Sequence, residues 1–178
     1  MLQKILIYGL IAGLVVGIPS FGFSVGLANH PPVPYALALG YTIMLVALSA
    51  VFVAIKRHRD SDLGGVIGFW RAFGLGLGIS VIAGVFYVVA WEAAVAVTHM
   101  DFASSYSKML IAQQEAKGVT GERLAEFIAE MERFKVQYAN PFYRIPMTFA
   151  EIFPVGVLVS LVSAVLLRNQ RFLPVRAL

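Results

Sequence analysis

The sequence predicts an all-α membrane protein: a bundle of four transmembrane helices with a helical hairpin between the third and fourth spans. Three observations carry that prediction. Of 178 residues, 59% are hydrophobic and only 13% charged, whereas a soluble domain carries roughly a quarter charged residues. Several uncharged apolar stretches reach about 20 residues, the length needed to cross a hydrocarbon core about 30 Å thick. Lysine and arginine gather in short segments beside those stretches, which is a topology signal and not a nucleic-acid patch.

The first span, about residues 5–27, follows Lys4. Its end, "GLANH", has the small-x-small spacing of a signal-peptidase site, with Gly26 and Ala28. The stretch is long for a signal h-region and contains Pro19, so it is read as a retained span. The proline-rich segment "NHPPVPY" leads to a second span, about 36–55, and "KRHRDSDLGG" then supplies a basic loop. The third span, about 72–97, is entered through Trp70 and Arg71, residue types suited to the headgroup level. The fourth, about 145–167, is followed by Arg168, Arg171 and Arg176. Basic residues thus flank one side of the bundle, and the first loop has none. The positive-inside rule puts both termini on the cytoplasmic side of the membrane.

Residues 98–140 form the one sizeable polar segment, expected outside that membrane. A first helix over 102–116 presents Phe102, Tyr106, Met109 and Leu110. A second presents Leu124, Phe127, Ile128, Met131, Phe134 and Tyr138 at three- and four-residue spacing. Thr120 is a candidate N-cap, with Gly118 and Gly121 bracketing the turn. Either the two helices cover each other, or the stripe meets a partner protein. At the start of the fourth span, Asn140 fits an N-cap and Pro141 the first helical position. Pro146 and Pro154 each remove a helix hydrogen bond and favour a bend.

The chain has no cysteine, which excludes disulfides and thiolate chemistry. It contains no phosphate-loop, zincin or dinucleotide motif. No cofactor and no nucleic-acid partner is implied, and an enzyme is the least supported class because no nucleophile–base arrangement is evident.

The acids inside apolar spans are the best candidates for chemistry. Glu92 and Glu151 each lie about six residues from the expected outer end of their span, roughly 9 Å deep at 1.5 Å per residue. A carboxylate at such depth costs free energy and ordinarily faces a bundle interior with a partner. Arg144 and Thr148 share a helix face with Glu151, and His99 lies two turns after Glu92. Asn29, His30, Tyr35, Tyr41 and Thr42 add polar groups from the first two spans. Three readings stay open. Arg144 pairs with the acids and fixes helix register. Alternatively, the two carboxylates bind a proton or cation from outside. Or His30, His99 and the acids hold a metal, although their spacing offers no known ligand pattern. The preferred expectation is a site centred on Glu92, Arg144 and Glu151 that binds an ion, a proton or a lipid headgroup. The alternative is an accessory subunit whose hairpin binds a protein. Four spans without an internal repeat are few for alternating access.

Gly9, Gly13 and Gly17 form a small-residue stripe on the first span, and Gly74 and Gly78 repeat the spacing on the third. Such stripes allow close helix approach, either inside one bundle or in a homodimer through the first span.

The ordered stretches "YGLIAGLVVG", "GYTIMLVALSAVFVAIKRHRD", "LGGVIGFWRAFGLGLGIS", "YVVAWE" and "NPFYRIPMTFAEIFPVGVLVSLVSA" resemble the bacterial domain-of-unknown-function family numbered 4199. The resemblance covers nearly the whole chain as one membrane domain. It implies a four-span inner-membrane protein and carries no activity with it. Glu92, Asn140, Pro141, Arg144, Glu151 and Pro154 fall in those stretches.

Overall fold

A computed structural model describes residues 1–27 and 35–174. Among the described residues there are six helices and no strand: α1 (Leu2–Leu27), α2 (Ala36–Asp62), α3 (Phe69–Thr98), α4 (Phe102–Ala116), α5 (Glu122–Tyr138) and α6 (Pro141–Leu167). Four of them, α1, α2, α3 and α6, are long and apolar enough to cross a membrane. With 26 to 30 residues each, they measure about 40–45 Å, enough to reach both headgroup layers. Their outward faces carry Leu10, Leu45, Val89 and Leu158, all exposed. Such surfaces suit lipid, and the protein is a multi-pass membrane protein.

The four long helices form a ring in which α1 packs on α3, α3 on α6, α6 on α2 and α2 on α1. The core runs through Ala12, Val16, Leu48, Val51, Ile55, Leu75, Ile79, Ile152 and Leu167. Small residues set the closest approaches. A Cβ at Gly9 would stand 2.7 Å from the Ile82 Cβ, and one at Gly13 would stand 2.6 Å from the Phe86 ring. Gly17 lies against Phe86 and Ala90. The first-span stripe is therefore covered by α3 within a single chain. Gly78 meets Ile5, whereas Gly74 has nothing within 4 Å. Between α3 and α6 the contact is closer to polar: Ser80 and Ser160 lie 3.3 Å apart, and Gly76 and Gly156 make room for them.

Two expected boundaries shift for physical reasons. α2 continues through the basic segment to Asp62, so "KRHRDSD" is helix and not loop. Lys56–Asp60 and His58–Asp62 pair at i,i+4 and support those last two turns. α5 is capped by Gly121 at φ 63° and not by Thr120. That left-handed backbone, like Gly118 at φ 80°, suits glycine.

Helices α4 and α5 form the hairpin, which meets the bundle at α6. Part of the α5 stripe packs on α4. Tyr106 packs on Phe134, Phe102 on Tyr138, and Met131 is buried.

Candidate functional site

Asn140 accepts a hydrogen bond from the Phe142 N–H at 3.0 Å and Pro141 opens α6, as the cap chemistry predicts. This start sets Arg144 one turn into the helix, level with Glu92 on α3. The Arg144 Nε donates to Glu92 Oε1 at 2.7 Å, and Nη2 donates to Oε2. The pair is bidentate, with side-chain exposures of 13% and 25%. This geometry is the strong form of an Arg–carboxylate pair. Arg144 Nη1 also points at the Tyr138 carbonyl, 3.4 Å away, and the guanidinium lies over the Tyr138 ring. Trp91 Nε1 donates to the Tyr138 hydroxyl at 2.9 Å. Burial pushes the Tyr138 phenol up to about 12, so it stays neutral. The cluster of Trp91, Glu92, Phe102, Tyr138 and Arg144 joins the hairpin to α3 and α6.

Glu151 is not part of that cluster. Its Oε2 accepts a hydrogen bond from the Tyr87 hydroxyl at 3.0 Å, and no described cation lies within ion-pair distance of it. The expected equal depth of Glu92 and Glu151 does not hold. α6 begins at Pro141, four residues before the expected edge of the span. With Arg144 level with Glu92, Glu151 lies seven residues, or about 10 Å, further along the bundle.

Glu151 is exposed, and its neighbours explain how. Thr148 and Val155 share its helix face at i−3 and i+4. Thr148 is 4% exposed and Val155 packs on the core. Tyr87 also packs on the core. Glu151 thus sits at the edge of the α3–α6 interface, with Tyr87 and the half-buried Val155 on one side and the exposed Leu158 two turns further along the same face. In the hairpin half of the bundle α2 contributes little cover: its buried residues begin at Met44, while Leu39 and Tyr41 stay exposed. Pro154 has no N–H to give to the Ala150 carbonyl, which is left without that helix bond.

The other candidates divide. Thr148 is buried beneath Arg144. His99 ends α3 in a left-handed conformation, φ 51°, and is exposed. Asn29 and His30 lie outside the described residues. Among the described residues no three His, Cys, Asp or Glu side chains gather as a metal site; His30, which the metal reading invokes, is not among them. Thr42 is engaged with its own helix, donating to the Ala38 carbonyl at 2.7 Å.

Sequence reasoning missed Arg59, which is fully buried at the basic end. It donates to Asp60 at 2.6 Å and to the carbonyls of Phe172 at 2.9 Å and Leu173 at 2.5 Å, with a longer bond to Leu167. It thereby holds the end of α6. Nearby, Asp62 pairs with Lys4 at 2.8 Å and with His58 at 2.7 Å. The signal was available: Arg59 continues the buried stripe Leu48, Val51, Ile55 at three- and four-residue spacing.

Comparison with known families gives one result. The family model described as "Protein of unknown function (DUF4199)" matches residues 7–169, and the chain belongs to that family. No curated protein and no solved structure matches the chain.

Proposed function

We propose that this DUF4199 protein binds a proton or a hard cation at Glu151 and Tyr87, in the hairpin half of its bundle. The bidentate Glu92–Arg144 pair acts in this reading as a strut that fixes helix register. One observation carries the proposal. Glu151 is a carboxylate in an apolar span, held by one tyrosine hydroxyl and by no described cation. An ionisable group at such depth is costly and is retained where it works on a proton or ion. Its surroundings offer oxygen donors: the carboxylate and the Tyr87 hydroxyl. That donor chemistry suits protons and hard cations better than soft metals.

The distribution of lysine and arginine supports an orientation with the basic end in the cytoplasm and the hairpin end outside, and the family resemblance supports a bacterial inner membrane. The site would then lie in the extracytoplasmic half of the bundle. The accessory-subunit reading has less support, because Met131 and Tyr138 of the α5 stripe are buried and Phe134 packs on Tyr106 of α4.

Thermal unfolding of the purified protein across pH, with sodium, potassium or calcium added, tests the proposal. At fixed pH, wild type is expected to show a cation-dependent Tm, and across pH a component of the Tm profile beyond that of Asp101, both of which Glu151→Gln abolishes and Tyr87→Phe weakens. Identical cation and pH profiles in wild type and Glu151→Gln overturn it.

A further inference from the structure

A second polar site lies where α3, α4, α5 and α6 meet, away from Glu151. It is a half-open cleft of about 240 Å³, lined among others by Val95, His99, Asp101, Lys135, Tyr138 and Arg144. We infer that this cleft binds a phosphate-bearing anion.

Three nitrogen-bearing side chains converge on it from three elements: His99 from the end of α3, Lys135 from α5 and Arg144 from α6. Arg144 has donors to spare. Of its five N–H groups, two go to Glu92 and one makes a long bond to the Tyr138 carbonyl. The Lys135 ammonium spends its bonds on Glu132, which is 60% exposed. A pair this open to water is weak and yields readily to a competing anion. Asp101 is the acid in the lining. Its Oδ1 is committed to capping α4, accepting from the Ser104 N–H at 3.0 Å.

Position and size select phosphate. Phe142 and Tyr143, both exposed, mark this level of α6 as one where aromatic side chains meet headgroups. A bilayer offers phosphate at that depth. The cleft exceeds by several-fold the roughly 30 Å³ share of one water, so it accommodates a phosphate group with part of what it esterifies. Arginine and lysine from separate helices supply the charge-assisted donors such a group takes.

Two probes separate the sources: inorganic phosphate, and dihexanoyl phosphatidate below its micellar concentration. Each is titrated calorimetrically into the full chain in a non-ionic detergent, against chloride of equal ionic strength. Saturable binding is expected, weakened about tenfold by Lys135→Ala and several-fold by His99→Asn. Asparagine tolerates the left-handed backbone there. Lys117→Ala, outside the cleft, is expected to leave binding unchanged. Binding of phosphatidate alone assigns the site to lipid headgroups, and equal binding of both probes assigns it to free phosphate. Absence of saturable binding by either probe overturns the inference. So does binding that Lys135→Ala and His99→Asn leave intact. The Glu151 proposal stands or falls separately, since Glu151→Gln is expected to leave phosphate binding unchanged.

Discussion

Glu92 and Arg144, 52 residues apart in sequence, meet through two parallel hydrogen bonds that join α3 to α6 at the foot of the hairpin. The pair sets the register of the two helices and, through Tyr138, the seat of α5. Removing one partner strands a mostly buried charge. For fully buried pairs that costs 3–5 kcal/mol; with the partial exposure here, Glu92→Gln or Arg144→Met is expected to cost about 2 kcal/mol. The double variant should cost less than the sum of the singles. Unfolding in mixed detergent micelles measures all three. Additive losses would show that the contact contributes little.

Arg59 is expected to be the least replaceable cation. It is fully buried, and its guanidinium serves Asp60 and the carbonyls that end α6. Arg59→Met leaves those acceptors unpaired and is expected to cost about 3 kcal/mol or more. Arg59→Lys should not rescue it, because an ammonium cannot reproduce the fork. Limited proteolysis after Leu167 gives the readout: both variants should be cut faster than wild type.

Glycines predict a contrast. Gly156→Ala forces a Cβ to 2.6 Å from the Ser80 Cβ and is expected to cost about 1–3 kcal/mol. Gly74→Ala meets open space and should be neutral or stabilising by up to about 1 kcal/mol. Equal effects at both positions would contradict the close α3–α6 approach.

Asp101 predicts a pH dependence. Its hydrogen bond with Ser104 holds the carboxyl below its ordinary range. A lowered carboxylate contributes in full above its unfolded-state value and loses that contribution as pH falls through its folded value. Protection factors of the α4 amides, referred to the intrinsic exchange rate at each pH, should therefore fall in acid for wild type. Asp101→Asn should remove the pH dependence, and Asp101→Ala should weaken the helix by about 1 kcal/mol at neutral pH.

Much of this architecture is legible in the sequence because lipid imposes long apolar runs and cap chemistry is local. The hydropathy runs give the four spans, and Asn140 and Pro141 give the start of α6. What escapes is what depends on neighbours. The basic segment after Ile55 reads as loop by composition, yet its i,i+4 pairs and the burial of Arg59 make it helix. The depth of Glu151 escapes the sequence because hydropathy marks the apolar edge of a span and not the helix end. Once Arg144 pairs with Glu92, the antiparallel register separates the two acids. Tyr87 could not be singled out, since nothing local distinguishes a tyrosine that meets a carboxylate 64 residues away from one that fills the core.

The division of labour between the two acids is the central claim, and infrared spectroscopy of the reconstituted protein during a pH titration tests it most directly. The predicted result is a carboxyl protonation band in wild type that persists in Glu92→Gln and disappears in Glu151→Gln. A band that persists in Glu151→Gln and disappears in Glu92→Gln would contradict the account, as would the absence of any such band in the wild type.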